Sequence, residues 1–237
     1  MGMEVLQDRS QIRVSRNELK RRGLSQIPHP LQRLRARLTG ARRLSIGDEI
    51  KSWDVLRTLE FINEHVSRDE AILDIGCYAS ETLVALYDWG YRNLTGADLN
   101  PDIRNMPHAQ HIRYEVTDFM QTPFADASFA AITSISVIEH GFDRDRLLKE
   151  VARLLKPGGH FIASFDYWPE KIDTTGIRFF DAEWTIFSQS EVEEFLRAAA
   201  THSLHLTGSM NAGAADRVVR AGGKQYTFAW MVLRKSN

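Results

Sequence analysis

The sequence has only one cysteine, Cys77, among its 237 residues. A single thiol cannot form a disulfide within the chain, and it leaves too few thiolates for a cysteine-rich zinc cluster. The scarcity of cysteine therefore excludes a disulfide-stabilised scaffold and fits a reducing, intracellular setting.

Long hydrophobic runs are also missing. No apolar stretch approaches the ~18 residues that a membrane span needs, and the first residues lack the apolar core of a secretory signal. We therefore expect a cytoplasmic protein without a membrane span. Hydrophobic residues still make up 43% of the chain, so it can bury an ordinary globular core.

Aromatic residues are absent from residues 1–45, which hold 11 Lys and Arg against three acids, whereas the remaining residues hold 19 against 28. A basic segment of this kind can bind nucleic acid, but base recognition usually uses aromatic stacking. We therefore predict a basic arm over 1–45, either solvated or docked on the acidic domain of 46–237, and we favour a small molecule over nucleic acid as partner. A chain that begins at Leu44 should then keep its fold. The sequence Pro28-His29-Pro30 divides the arm into two weakly helical pieces.

Beyond the arm, the hydrophobic pattern alternates between helical and strand periods. Apolar residues at helical spacing from Ile50 to Ile62 predict an amphipathic helix. Further helices are predicted over residues 80–89, 144–155 and 188–200, with Ser80 and Ser188 as N-caps. Short apolar runs predict strands over 71–75, 94–98, 111–114, 129–136, 160–165, 204–207 and 226–233. This alternation indicates an α/β fold with a doubly wound, mostly parallel sheet and helices on both faces.

Polar side chains follow the predicted parallel strands at their carboxyl ends, which is the edge where doubly wound sheets bind ligands. They are Asp74 and Gly76, Asp98, Asp118, the segment Ser134 to His140, and Asp166. Repeated carboxylates suit a ligand rich in hydroxyl and amino groups. Asp98 lies 24 residues beyond Asp74, close to the ~20 expected for an acid that binds a ribose diol.

Five motifs in this order resemble the class I, Rossmann-like family of S-adenosylmethionine-dependent methyltransferases of the small-molecule type. They are Leu73-Asp74-Ile75-Gly76-Cys77, Gly96-Ala97-Asp98-Leu99-Asn100-Pro101, Asp118-Phe119 with the segment 122–129, the segment 134–140, and the segment 150–159. The resemblance implies S-adenosylmethionine as cofactor and a seven-stranded sheet whose last strand is antiparallel. Residues 204–207 and 226–233 could supply that final hairpin.

The same resemblance implies a set of cofactor contacts. These are Asp74, Gly76, Cys77, Tyr78, Asp98, Leu99, Asp118, Phe119, Ser134 and Ile135. Gly76 would let the backbone approach the methionine part, and Asp98 would bind the ribose hydroxyls. Asp118 would accept a hydrogen bond from the adenine amine, with Leu99 and Phe119 against the ring. From the residues alone, Asp74 could equally bind neighbouring backbone amides.

The first loop departs from the family, which usually has two or three glycines there. Here it reads Gly76-Cys77-Tyr78-Ala79-Ser80, and a residue other than glycine at positive φ costs about 1 kcal/mol or more. A sulfonium cofactor has no phosphate, so the loop needs no phosphate cradle. The same loop argues against a nicotinamide enzyme, whose pyrophosphate requires the glycine-rich turn. Tyr78 leaves a further alternative open, a methyltransferase-like protein that binds the cofactor without transfer.

The acceptor is expected to enter after the fifth strand, where Asp166, Tyr167 and Trp168 combine an acid with two rings. Trp184 continues this aromatic character in a segment that could form a lid. An acid beside aromatic rings suits a saccharide-like or other polar ring. We therefore predict O-methylation of a small or saccharide-like acceptor, with an RNA or protein methyltransferase that uses the basic arm as the alternative.

Two residues are candidate catalytic bases for such a transfer, His140 after the fourth strand and Asp166 after the fifth. Lys51, on the helix before the sheet, could close over the cofactor, whereas Trp53 on the same helix is expected in the core. No metal is implied, because the cofactor accounts for the carboxylates at the strand ends.

Overall fold

The computed structural model describes residues 2–27 and 44–237. The strands are β1 (Met3–Val5), β2 (Ile72–Ile75), β3 (Leu94–Asp98), β4 (Arg113–Val116), β5 (Phe129–Ile135), β6 (Leu155–Tyr167), β7 (Arg178–Phe179), β8 (Ala182–Glu183), β9 (Leu204–Leu206), β10 (Val219–Ala221) and β11 (Lys224–Lys235). The α-helices are α1 (Arg9–Arg21), α2 (Ser52–His65), α3 (Thr82–Asp88), α4 (Arg144–Leu154) and α5 (Gln189–Thr201). Short 3-10 helices span Glu49–Lys51 and Pro101–Asn105.

The predicted α/β fold with a mostly parallel sheet is confirmed. One sheet has the strand order β1-β11-β6-β5-β2-β3-β4, with β9 and β10 also paired to β11. The five strands from β6 to β4 along this order are parallel, and β11 is antiparallel to β6. All seven predicted strands occur, and the short strands β1 and β10 bring this sheet to nine. β7 and β8 form a separate hairpin.

Local sequence explains where several elements begin. The Ser188 hydroxyl accepts the amide of Glu191, whose side chain in turn accepts the Ser188 amide, so a capping box starts α5 as predicted. Ser80 is not the N-cap of α3 as predicted, because the helix begins at Thr82 with Glu81 as N-cap, although the Ser80 hydroxyl accepts the Thr82 amide. β4 starts two residues later than predicted, because the His108 carbonyl accepts the amides of His111 and Ile112 in a turn.

Two hydrophobic clusters lie on opposite faces of the sheet. One contains residues of α1, α2 and α3, including Leu19, Leu59 and Leu83, and the other contains residues of α4 and α5, including Leu148 and Phe195. Helices therefore cover both faces, as predicted. Among the described helices, none is long and apolar enough to cross a membrane.

The first part of the basic arm packs against the rest of the chain. β1 pairs with β11, and Leu6, Ile12 and Leu19 are buried in the cluster on the α2 face. This packing argues against the expectation that a chain beginning at Leu44 keeps its fold. Truncation would delete these three side chains and expose the apolar surface that they cover, at a loss of about 1.5–3 kcal/mol for each buried side chain. The second predicted helical piece of the arm lies outside the described residues, and the division at residue 45 stays a prediction.

Candidate active site

The loop after β2 leads into α3 and is hydrogen-bonded to the carboxyl end of the neighbouring strand β3. Gly76 has φ +65° and its amide donates to the Ala97 carbonyl at 2.8 Å. The Tyr78 amide donates to Asp98 Oδ2 at 2.9 Å. Ala79 also has a positive φ, 60°, without being glycine. The loop is therefore bonded on both sides of Cys77 to β3, and its position depends on Asp98.

Glycine at position 76 is required by local packing as well as by φ. A Cβ there would lie 2.5 Å from Val137 Cγ2, so Val137 occupies the space beside the Gly76 Cα. Cys77 is buried in the core, and burial raises the pKa of its thiol well above the usual range. The expected contacts of Gly76, Cys77 and Tyr78 with the methionine part of the cofactor stay predictions.

Asp98 and Leu99 lie at the end of β3 beside this loop. Asp98 Oδ1 accepts the Asn100 amide at 2.8 Å and Oδ2 accepts the Tyr78 amide. A carboxylate has about four acceptor positions, so each oxygen keeps one for a ligand hydroxyl. Leu99 is 65% exposed, one of three large hydrophobic residues that are exposed in the described part of the chain. These placements fit the predicted ribose and ring contacts without testing them.

Asp118 and Phe119 follow β4. Asp118 Oδ1 accepts the Met120 amide at 2.9 Å, and Oδ2 accepts Arg146 Nη2 at 3.3 Å. Phe119 is partly buried and packs against the core cluster on the α4 face. Asp118 thus already has two partners, and its predicted role at the adenine amine would share the carboxylate with Arg146.

Asp74 on β2 and Ser134 on β5 lie in neighbouring strands at the centre of the sheet, where Asp74 is in register with Thr133. Both are buried, and Thr133 Oγ1 donates to Asp74 Oδ1 at 2.6 Å. Burial raises the pKa of Asp74 to about 7, against the opposing effect of the Thr133 and Ser80 hydroxyls. Ser134 Oγ is buried without a hydrogen-bond partner in the part of the chain that the structure describes, and Ile135 beyond it is partly buried.

The buried Asp74 leads to a prediction on stability. Its folded pKa of about 7 exceeds the ordinary 3.8, so the contribution to stability is full at low pH and is lost as pH rises toward 7 and above. Asp74→Asn mimics the protonated acid, and the stability of the variant relative to wild type should rise by about 2–3 kcal/mol between pH 5 and pH 8. Urea unfolding of both proteins at the two pH values measures this. If the difference in unfolding free energy between the two proteins were the same at both pH values, Asp74 would not titrate between them.

A second group of polar residues lies where β6 and β5 end, and we call Lys51, Asp54, Glu139 and Asp166 the acid–lysine group. Lys51 Nζ contacts the Ser136 hydroxyl, lies 3.9 Å from Asp166 Oδ1, and lies 3.6 Å from the Phe228 ring centroid. The three acids are buried. Lys51 is therefore the cation that faces three carboxyl groups.

Burial raises the pKa of all three acids, to about 6 for Asp54, and the ammonium of Lys51 opposes the rise. The negative charge of Asp166 raises the pKa of Glu139 further. Asp54 Oδ1, Glu139 Oε2 and Asp166 Oδ1 have no hydrogen-bond partner within residues 2–27 and 44–237. The group thus presents three buried oxygen atoms that can accept hydrogen bonds.

The segment that contains β7 and β8 folds over this group. Trp184 Nε1 donates to Asp166 Oδ2 at 2.7 Å, and the Thr185 amide donates to the Glu139 carbonyl at 2.9 Å. His140 pairs with Trp184 through a β-bridge. Burial lowers the pKa of His140 to about 4, so its imidazole is neutral at pH 7. The structure therefore brings Asp166, His140 and Trp184 together.

Tyr167 and Trp168 do not join this group in the way the sequence suggested. Because side chains alternate along β6, Tyr167 points into the cluster on the α4 face, where its hydroxyl donates to the Ala212 carbonyl at 2.7 Å. Its expected contact with the acceptor is at odds with this position. Trp168 packs against the cluster on the opposite face, with Arg217 Cζ 4.4 Å from its ring centroid.

Three residues of this region were not predicted from the sequence. They are Asp54 and Glu139 of the acid–lysine group and the neighbouring Tyr226. Asp54 accepts the Ser164 hydroxyl at 2.8 Å, and Tyr226 lies edge to face with Trp184. The available signal for Asp54 was an acid inside the apolar pattern of α2, and for Glu139 an acid next to His140 in a strand-end motif. Within the described residues, no three His, Cys, Asp or Glu side chains lie close enough together to hold a metal ion.

Comparisons with known proteins match the middle of the chain to methyltransferases. Residues 73–163 match the family described as a methyltransferase domain. The chain is 29% identical over 102 residues to the methyltransferase GfsG of Streptomyces halstedii, covering 40% of this chain and 37% of that protein. It is 27% identical to the O-methyltransferase cnsE of Penicillium expansum, covering 44% and 45%. It is also 27% identical to the eEF1A lysine and N-terminal methyltransferase of Mus musculus, covering 45% and 18%.

These matches span less than half the length of each of these relatives. Among solved structures, the [4+2]-cyclase SpnF has a TM-score of 0.60 at 15% identity, covering 80% of this chain and 83% of that one. A methyltransferase of Burkholderia thailandensis with bound 1,6-didemethyltoxoflavin and S-adenosylhomocysteine has a TM-score of 0.58 at 21% identity, covering 78% and 79%. Residues 73–163 thus match a methyltransferase domain, and the chain shares the fold of these two solved structures.

Proposed function

We propose that the protein transfers a methyl group from S-adenosylmethionine to an oxygen atom of a small, polar acceptor. The observation that carries this proposal is the position of Asp98, which is bonded to the loop after β2 and keeps acceptor positions free at the carboxyl edge of the sheet. The family match over residues 73–163 supports the methyl-transfer chemistry. The acid–lysine group supports an acceptor with hydroxyl groups.

The residues at the sheet edge fit the cofactor. Asp98 would hold the ribose diol, and the exposed Leu99 offers an apolar surface for the adenine ring. The buried Ser134 hydroxyl, which is unpartnered in the described chain, would meet a polar atom of the ligand. When bound, S-adenosylmethionine supplies a methyl group on a positively charged sulfur, and a nucleophile that approaches in line takes the methyl group while the neutral sulfur leaves.

The acid–lysine group would orient the acceptor for that displacement. Asp166 Oδ2 is fixed by Trp184, so Oδ1 can accept a hydrogen bond from an acceptor hydroxyl and take up its proton as the oxygen is methylated. Lys51 stabilises the ionised form of Asp166. Trp184 is buried over the carboxylate and excludes water from it. His140 is a weaker base than an exposed imidazole because burial lowers its pKa to about 4, and we assign it a hydrogen-bonding role.

The proposal is tested by incubation of the purified protein with S-adenosylmethionine and a panel of small hydroxylated compounds, sugars and phenols included. We expect an acceptor whose mass rises by one methyl group, together with formation of S-adenosylhomocysteine. Calorimetry should detect binding of S-adenosylhomocysteine and none of NAD. Binding without a methylated product in any acceptor class would favour a cofactor-binding protein that lacks transfer activity, and absence of binding would refute the proposal.

The exposed basic residues of α1 would favour nucleic acid as the acceptor class. They are Arg9, Arg13, Lys20 and Arg21. An RNA grip by Lys and Arg releases counterions, and its affinity falls steeply with salt. We expect the full chain to show no RNA binding at physiological salt in a filter or fluorescence assay. A steep salt slope that Arg13→Gln with Lys20→Gln makes shallower would favour the nucleic-acid alternative.

A further inference from the structure

Arg16 is a buried cation on the helix that precedes the methyltransferase domain. It is 1% exposed, and all five of its N–H groups donate hydrogen bonds. Nε donates to Ser52 Oγ at 2.9 Å, and the two Nη atoms donate to Ser25 Oγ at 3.0 Å and to the Asp48 carbonyl at 3.1 Å. The remaining two bonds, of 3.0 and 2.6 Å, form a fork with Glu81. A guanidinium saturated in this way has a fixed position.

Glu81 ties this network to the cofactor loop. It directly follows Ser80, the last residue of the loop 76–80, and its carboxylate is 1% exposed. Besides Arg16, it accepts the Gln26 amide at 3.0 Å. The Gly47 amide donates to the Ala79 carbonyl at 2.9 Å, and a Cβ at Gly47 would lie 3.0 Å from Glu81 Cδ. The segment before α2 therefore packs closely against both the loop and its anchor.

The loop 76–80 contains a strained residue, so bonds from outside the loop are needed to hold its conformation. Ala79 adopts φ +60° without being glycine, at a cost of about 1 kcal/mol or more. Asp98 holds the loop at Tyr78, and Glu81 holds it at the other end. A buried ion pair is often no more stabilising than an apolar pair of the same size, whereas its directional bonds fix one arrangement. The Arg16–Glu81 fork is therefore better explained by the placement of the loop than by stability.

We propose that Arg16 is a positioning residue for S-adenosylmethionine binding, acting through Glu81 on the loop 76–80. The inference rests on the proposed function, since this loop is the expected contact of the methionine part of the cofactor. Docking of α1 would then set the affinity of a site to which α1 contributes no direct contact.

The experiment compares Arg16→Met, Arg16→Lys and the double variant Arg16→Met with Glu81→Leu in the full chain. Arg21→Met is the matched control, because Arg21 bonds to Glu18 on the same helix but its side chain is 71% exposed. Three quantities are measured: urea stability, the dissociation constant of S-adenosylhomocysteine, and hydrogen exchange of the Tyr78 and Ser80 amides. Exchange needs no ligand, so it tests the loop even if the protein binds no S-adenosylhomocysteine.

Arg16→Met should lose stability, because it leaves the Glu81 carboxylate buried and unpaired, and the double variant should recover most of the loss. The double variant should nevertheless bind S-adenosylhomocysteine about tenfold more weakly than wild type, and its loop amides should exchange faster. Arg16→Lys should show the same loop defect, since an ammonium cannot form the fork. Arg21→Met should match wild type in all three.

A double variant with wild-type affinity and wild-type exchange at the loop would overturn the inference. It would show that the ion pair contributes to packing and does not position the loop. If the double variant fails to fold, the exchange of the loop amides in Arg16→Lys decides in the same way. Failure of wild type to bind S-adenosylhomocysteine would overturn the proposed function, while faster loop exchange in the variants would still support the positioning role.

Discussion

Asp166→Asn is expected to lower turnover by about 10²-fold or more, the contribution typical of a positioned base. Asn keeps the shape of the side chain and can still accept the Trp184 N–H, so the fold around β6 should persist. Affinity for S-adenosylhomocysteine should stay within about 1 kcal/mol of wild type, because the expected cofactor contacts lie on other residues. Calorimetry and turnover with an acceptor found in the mass-spectrometric panel measure the two quantities. Asp181→Asn on the exposed turn between β7 and β8 is the matched control and should leave both unchanged.

The pH profile separates Asp166 from His140 as the base. Either base is active when deprotonated, so activity should fall as pH decreases through its pKa. Burial raises the pKa of Asp166 above its usual 3.8 and lowers that of His140 to about 4. If Asp166 is the base, the acid limb of wild type disappears in Asp166→Asn and persists in His140→Asn. A limb near pH 4 that disappears in His140→Asn instead would assign the role to the histidine, and full turnover of Asp166→Asn would exclude Asp166.

The regular part of the fold could be predicted because its signals are local. Strands β2, β3 and β5 are short, buried runs rich in apolar residues, and α5 carries a complete capping box around Ser188. The segments that were missed depend on distant partners. β1 has three residues and pairs with Ala229 to Met231 of β11, at the other end of the chain. The turn between β7 and β8 places Phe180 and Asp181 at positive φ, where a glycine or asparagine would have been the usual signal.

The residues of the site also differ in whether their positions could be predicted from local sequence. Positions at the ends of parallel strands, such as Asp98 and Asp166, follow from topology, since these strands end at one edge of the sheet. To predict the direction in which a side chain points, the register of its strand must also be known. The alternation along β6 would have placed Tyr167 opposite Asp166, and this signal was available in the sequence. Contacts that join separate elements, such as Lys51 with Asp166 and Arg16 with Glu81, arise only from packing and have no local pattern.

Asp98→Ala is expected to weaken binding of S-adenosylhomocysteine roughly 10–150-fold, the effect of about 1.5–3 kcal/mol for a charged hydrogen bond. The substitution removes the carboxylate that would hold the ribose diol and also the partner of the Tyr78 amide. Asp98→Asn retains one carbonyl oxygen and should lose less. Asp102→Ala, an exposed acid four residues away, is the control for loss of charge. Calorimetry on the four proteins gives the affinities.

A double-mutant cycle in which both the protein and the ligand are changed distinguishes a direct contact of Asp98 with the diol from an indirect effect through the loop. Adenosine and 2′,3′-dideoxyadenosine are titrated into wild type and Asp98→Ala. If the carboxylate binds the diol, removal of the hydroxyls weakens binding to wild type by about tenfold or more and changes binding to Asp98→Ala little, because the partner is already gone. If the two losses simply add, Asp98 acts only by holding the Tyr78 amide, and the ribose must be bound by other residues.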